Sequence, residues 1–163
     1  MVRADLPLER LHTLVQLVMP WTNSHMHQFI AGKTYYGAPD PEFGGMGMEI
    51  LNEDEYTVAD LAPAAKKKFI YEYDFGDSWE HEVTVEKVLP PDAGFKHPVC
   101  LAGANACPPD DCGGMGGYYE LLKVLGNPKH PEHDEMQDWI GGEWDAAAFD
   151  LADINRQLKR FKG

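Results

Sequence analysis

The stretch from Lys67 to Leu89 constrains the fold most, because apolar and polar side chains alternate along it. The apolar or aromatic positions before and after the central turn GDS are Phe69, Tyr71, Tyr73 and Phe75, then Trp79, His81, Val83 and Val85. A period of two is that of a β-strand with one buried face, so the stretch predicts a β-hairpin. The intervening glutamates predict that its other face is acidic and exposed to solvent.

The remaining segments predict strands in the middle of the chain and helices at both ends. Helices are expected over residues 6–19, in a capped turn at 57–60, and over about 117–125, 131–142 and 150–161, the last with a buried stripe of Leu151, Ile154, Leu158 and Phe161. A second hairpin is expected over 25–36, a short strand at 99–103, and a long loop over 37–55. This order predicts one α+β domain over 1–163, with a mostly antiparallel sheet, a central β-hairpin, and packing by the N-terminal helix and the C-terminal helices.

The charge balance disfavours direct nucleic-acid binding. Fourteen basic against 27 acidic residues give a net charge of −13, and such a field repels phosphate backbones. The basic clusters at 66–68 and 156–162 fit a strand edge and a helix C-terminus. No apolar run approaches the roughly 20 residues that span a bilayer, and the N-terminus lacks a signal-peptide layout. A cytoplasmic protein without a membrane segment is therefore expected.

A Gly/Pro-rich stretch at 106–122, ACPPDDCGGMGGYYELL, suggests either a metal site or an elaborate start to a helix. Cys100, Cys107 and Cys112 are spaced C-x6-C-x4-C, and only the second gap suits a zinc knuckle. The three cysteines are candidate zinc ligands. The alternative is that they are small buried side chains, with prolines stiffening the loop and glycines allowing a tight approach to the helix.

Histidines and aspartates near the hairpin form a second group of candidates. Asp74, Asp77 and His81 surround one end of the hairpin, where a carboxylate can orient an imidazole as a base or a ligand. His25 and His27 share a face if both lie on a strand, but not if they lie in a turn. No Ser-His-Asp arrangement can be argued, and no spacing selects a Cys–His pair. Whether the protein is an enzyme stays open.

Four segments, beginning LHTLVQLVMPW, YEYDFGDSWEH, PVCLAGANACPPDDCGG and NPKHPEHDEMQ, resemble the plasmid pRiA4b ORF-3-like family along nearly the whole chain. The resemblance implies an α+β fold and a domain often encoded near mobile elements. It implies no established activity or accepted catalytic residues, and a resolvase role suggested by "TnpR-like" labels finds no support in the sequence. Family members usually begin with extra strands before the first helix. Their apparent lack here predicts an open sheet edge that a partner chain or a second copy could fill.

Three functional hypotheses follow. The favoured one is a non-catalytic binding or interaction module associated with plasmids or mobile elements, with a binding cleft that comprises His25, His27, Asp74, Asp77, Trp79, His81, Asp111 and Tyr118. The second is a metal-assisted hydrolase-type enzyme in which His25, His27, Asp77, His81 and Asp111 converge. The third is a structural zinc-binding domain at Cys100, Cys107 and Cys112.

Overall fold

The computed structural model describes residues 1–38, 49–142 and 144–161. In these ranges the helices are α1 (Leu8–Val18), α2 (Val58–Leu61), α3 (Gly114–Leu125), α4 (His133–Trp139) and α5 (Leu151–Leu158), and the strands are β1 (His27–Ala31), β2 (Thr34–Gly37), β3 (Ile50–Asn52), β4 (Lys68–Tyr73) and β5 (Trp79–Thr84). The fold is α+β, as the sequence predicts. None of the helices in the described ranges is both long and apolar enough to cross a membrane.

The five strands form one sheet in the order β3-β2-β1-β4-β5. Three of the four pairings are antiparallel, and β2 pairs with β3 in parallel. Tyr73 of β4 lies opposite His27 of β1 and Trp79 of β5. Residues opposite each other in adjacent strands share a face, so this register places both side chains beside Tyr73. β3 and β5 end the sheet, and a partner at an open edge stays a prediction.

The predicted hairpin face is the centre of the core. Its aromatic side chains Phe69, Tyr71, Tyr73 and Trp79 are buried, together with Phe29 of β1. Helix α1 contributes the buried Leu8, Leu11 and Leu14, and the C-terminal part contributes Leu158 and Phe161. Each fully buried large apolar side chain stabilises the fold by about 1.5–3 kcal/mol. The alternating pattern therefore identified the core-facing side of the sheet.

Three of the predicted segments differ from those in the structure. The predicted loop over 37–55 contains β3 and a 3₁₀ helix at Glu53–Glu55, while residues 39–48 lie outside the described residues. The predicted strand at 99–103 is absent, because the backbone of Cys100 bonds to the side chain of Asn155 instead of to a strand. Helix α3 begins at Gly114 rather than near residue 117.

Two predicted placements are also wrong. Lys68 begins β4, which lies between β1 and β5, so the cluster at 66–68 is not on an edge strand. Leu151 is 37% exposed, because it is the first residue of helix α5 and does not face the core, whereas Leu158 does.

The predicted capping box of α2 is present, with Thr57 and Asp60 bonded to each other.

Candidate functional site

Three segments that are distant in sequence meet at one end of the β4–β5 hairpin. We call this place the junction: residues 21–26 before β1, residues 74–79 from the hairpin end to the first residue of β5, and residues 107–114 up to the first residue of α3. The indole Nε1 of Trp21 donates to the carbonyl of Pro108 at 2.9 Å, and Thr22 donates through N and Oγ1 to Oδ2 of Asp110 at 3.0 and 2.7 Å. The amide of Gly113 donates to Oδ2 of Asp77 at 3.0 Å. These bonds fasten all three segments together.

The turn residues explain why the segments can approach so closely. Asp74 has a φ of 56°, and its Oδ1 accepts from the amides of Gly76 and Asp77 at 2.9 and 3.3 Å, which shapes the hairpin end. Gly114 has a φ of 62°, and a Cβ added there would lie 2.5 Å from the carbonyl oxygen of Asp77. Only glycine therefore allows the loop to dock against the hairpin.

His25, Asp74 and Asp111 form a cluster of imidazole and carboxylates at the junction, which we call the rim cluster. Nε2 of His25 lies 3.6 Å from Oδ2 of Asp74 and 3.1 Å from Oδ1 of Asp111. The Asp74 side chain is 9% exposed and that of Asp111 is 70% exposed. Among the described residues this is the group whose nitrogen and oxygen atoms lie close enough, within 4.8 Å of one another, to hold a metal ion.

Buried polar atoms without a hydrogen-bond partner concentrate at the junction. In the described part of the chain these are Nε2 of His25, Nε1 of Trp79 and Oδ1 of Asp110. Each of the three belongs to a different segment of the junction. An unmet buried donor or acceptor costs about 1–3 kcal/mol. The junction is therefore the place in the described structure where a bound group would gain most from polar contacts.

Aromatic side chains form the floor behind the junction. Trp21 stacks on Tyr73 with ring centroids 4.7 Å apart, and Tyr118 meets Trp79 edge-on at 6.4 Å. His81 meets Trp21 edge-on at 5.3 Å, and its Nδ1 lies 3.0 Å from the carbonyl oxygen of Trp79. Burial lowers the pKa of His81. His81 is thus part of the floor rather than of the rim cluster.

His27 lies away from His25, in a buried polar network under the sheet. Its ring stacks on that of His12 at 3.4 Å between centroids, and its Nε2 lies 2.9 Å from Oε2 of the buried Glu53. We call His12, Gln16, His27, Glu53 and Tyr71 the core network. His25 precedes β1, which begins at His27, so the two histidines do not share a strand face.

His12 is a buried histidine with polar partners that the sequence did not single out as a candidate. Its Nδ1 lies 2.8 Å from the Tyr71 hydroxyl and its Nε2 lies 2.7 Å from Oδ1 of Asn23. Burial first, and the neighbouring His27 second, lower the pKa of His12 to about 4. The available signal was its spacing four residues after Leu8, on the helix face that packs on the sheet.

The three cysteines do not form a three-ligand group in the described structure. Cys100 is bound through its backbone to Asn155, whereas Cys107 and Cys112 lie on the loop of the junction, and all three pack against the core. Burial, followed by Asp110, raises the pKa of Cys107 to about 12, and burial, followed by Asp77, raises that of Cys112 to about 11. Both are protonated thiols at neutral pH. The zinc set predicted from C-x6-C-x4-C is not brought together.

The residues predicted for a metal-assisted hydrolase are likewise divided. His25 and Asp111 lie in the rim cluster with Asp74, whereas His27 lies in the core network and His81 in the aromatic floor. Asp77 holds the loop through Gly113. Of the predicted cleft, the junction brings together His25, Asp74, Asp77, Trp79 and Asp111, with Tyr118 beside Trp79.

The fold and the junction define an α+β protein with a five-stranded mixed sheet and a polar site at a hairpin end. Residues 1–153 match the model of the plasmid pRiA4b ORF-3-like protein family. The chain belongs to this family, as its sequence motifs indicate.

Two proteins that are similar to this chain are both of unknown function. The chain is 35% identical over 152 residues to the uncharacterized protein y4hQ of Sinorhizobium fredii (strain NBRC 101917 / NGR234), a match that covers 93% of this chain and 77% of the relative. It is also similar to the crystal structure of the protein of unknown function MM3350 from Methanosarcina mazei Go1. That similarity has a TM-score of 0.81 and 32% identity, and covers 93% of this chain and 84% of that one.

Proposed function

We propose that the protein is a non-catalytic binding module that takes its ligand at the junction. The observation that carries the proposal is the concentration of unpartnered buried polar atoms there, on His25, Trp79 and Asp110. Buried polar groups in folded proteins are almost always paired, so each exception requires an explanation. A ligand that contacts the hairpin end and the 107–114 loop at once would supply a partner for Nε2 of His25, which lies between Asp74 and Asp111.

The chemistry of the neighbouring side chains favours binding over catalysis. The raised pKa values of Cys107 and Cys112, about 12 and 11, keep these thiols protonated at neutral pH, whereas a nucleophilic cysteine acts as thiolate. The ring nitrogen Nδ1 of His81 faces backbone carbonyl groups rather than a nucleophile. The family description names a plasmid reading frame, which suits a module that serves a plasmid or another mobile element.

A thermal-shift panel tests the proposal with defined classes of ligand: divalent cations, nucleotides, dicarboxylates and amino acids. A ligand that binds the folded state alone, at a concentration 100 times its Kd, stabilises by about 2.7 kcal/mol. For a chain of this size that raises Tm by about 5–10 °C. We expect at least one class to produce such a shift, and the shift to disappear in Asp111→Asn.

Asp134→Asn is the matched control. Asp134 is a fully exposed aspartate, also 3.1 Å from a histidine nitrogen, but on helix α4 and outside the junction. The shift should survive this substitution. The proposal is wrong if no class raises Tm, or if Asp111→Asn and Asp134→Asn respond equally.

A further inference from the structure

We infer that the ligand of the junction is a divalent first-row transition-metal ion, held by Nε2 of His25, Oδ2 of Asp74 and Oδ1 of Asp111. The inference rests on the proposed function, because it names the chemical class of ligand for the same site. It differs from the metal sets that the sequence suggests, since it uses neither the cysteines nor His27 and His81.

Two distances within the rim cluster, both from Nε2 of His25, are close to those between neighbouring ligands of one ion. Zinc lies about 2.0–2.2 Å from nitrogen and carboxylate oxygen ligands. Two ligand atoms at about 2.1 Å are then about 3.0 Å apart at a right angle and about 3.4 Å apart at the tetrahedral angle. The observed separations from Nε2 of His25 are 3.1 Å to Asp111 and 3.6 Å to Asp74. These two separations are close to the expected values.

Each ligand atom is available, and its residue is held in place by other bonds. Oδ1 of Asp74 accepts hydrogen bonds from the amides of the hairpin turn, so Oδ2 is the oxygen that lies near His25. The loop that carries Asp111 is fixed by the bonds of Asp110 to Thr22 and of Gly113 to Asp77. Nε2 of His25 is buried without a hydrogen bond although two carboxylates face it. A cation between them satisfies the nitrogen lone pair and both oxygens together.

The donor set indicates the class of ion. Imidazole suits Zn²⁺, Ni²⁺, Cu²⁺ and Fe²⁺, whereas Mg²⁺ and Ca²⁺ prefer sites made of oxygen alone. The net charge of −13 raises the local concentration of any cation. Three protein ligands leave at least one position for water or for a group on a partner, as in zinc sites that are not fully enclosed. The exposed side of Asp111 is where that position would open.

The test is calorimetric titration of metal-free full-length protein, stripped with chelator, with Zn²⁺, Mn²⁺ and Mg²⁺ in separate runs. We expect one-to-one binding of Zn²⁺ with a Kd of about 1 μM or tighter, weaker binding of Mn²⁺, and little heat from Mg²⁺. Asp111→Asn and His25→Ala should each weaken Zn²⁺ binding at least tenfold. His133→Ala is the matched control, because His133 also lies 3.1 Å from an aspartate oxygen but belongs, among the described residues, to no group of three possible metal ligands.

Asp111→Asn is expected to fold as the wild type does, so that weaker binding by this variant cannot be ascribed to unfolding. The side chain of Asp111 is exposed, and asparagine tolerates the positive φ of 59° at this position. The unfolding transition of the variant should match that of the metal-free wild type. The inference is overturned if Zn²⁺ shows no saturable binding, if Asp111→Asn binds as the wild type does, or if His133→Ala weakens binding as much as His25→Ala. If another class of ligand raises Tm in the thermal-shift panel while Zn²⁺ shows no binding in the calorimeter, the proposal of a binding module is supported and the inference of a metal ligand is wrong.

Discussion

The core network and the rim cluster each bring a histidine to a carboxylate, but they do so in opposite settings. His27 and Glu53 lie in the core network with side chains 11% and 5% exposed, whereas His25 and Asp111 lie in the rim cluster at 26% and 70%. In the core network the imidazole nitrogen of His27 meets both oxygens of Glu53, at 2.9 and 3.1 Å. In the rim cluster the nitrogen of His25 is buried without a hydrogen bond.

The difference separates groups that hold the fold from groups where we propose that a ligand binds. A buried polar network whose members satisfy one another rigidifies a core, and losing one member is costly. A partly open cluster with an unmet acceptor contributes little to folding and can take a ligand without a rearrangement. The same pair of residue types, a histidine and a carboxylate, is thus expected to have different roles in the core network and in the rim cluster. Measurements of stability can distinguish these two roles.

The largest effect is expected for Glu53→Leu. The substitution removes the acceptor of His27 inside the core, and breaking a buried pair from one side costs about 3–5 kcal/mol. Urea denaturation should show this loss in the free energy of unfolding. Glu55→Leu is the matched control, since Glu55 lies in the same 3₁₀ helix but is exposed. Similar losses for both variants would show that the core network has no special role in stability.

A smaller effect is expected from acidification, through His12. Its pKa is about 4 in the folded protein against the ordinary 6.5, so between these values the unfolded chain binds a proton that the folded chain does not. Stability therefore falls as pH drops from about 6.5 to about 4, by at most about 3 kcal/mol. Urea titrations across this range should show a shallower slope with pH in His12→Gln than in wild type. Equal slopes would contradict the assignment.

The smallest effect is expected for Asp111→Asn without metal. An exposed side chain whose ion pair is partly solvated contributes about 0.5 kcal/mol or less. Urea denaturation of the metal-free variant should therefore give a free energy of unfolding close to that of wild type. A loss near that of Glu53→Leu would mean that the rim cluster, too, holds the fold together.

Local patterns were sufficient to predict the parts of the structure that depend on neighbours in sequence. The alternation around Tyr71 predicts the hairpin and its buried face, and the capped turn expected at 57–60 corresponds to the start of α2. Asp74 and Asp77 were expected at the hairpin end because turn residues are recognisable from composition. Asp111 was named in the predicted cleft, on the Gly/Pro-rich stretch at 106–122.

Long-range pairing could not be predicted in the same way. β3 is a three-residue strand that pairs in parallel with β2, and so short a segment has too little pattern to recognise. Glu53 follows directly after it, so the partner of His27 depends on a pairing that no local signal reveals. The hydrogen bond between His12 and Tyr71 spans 59 positions in the chain, which is why the core network was not predicted.

The sequence by itself determined the α+β class, the acidic character, the hairpin and the residue types that gather at its end, because each follows from periodicity, charge or turn chemistry. Tertiary structure alone decided which histidine meets which carboxylate. β1 begins at His27, opposite the last residue of β4, so His27 turns under the sheet to Glu53. His25, two residues earlier and outside the strand, meets Asp74 and Asp111 instead. Strand register places side chains by contacts between distant segments, and those contacts exist only in the folded chain.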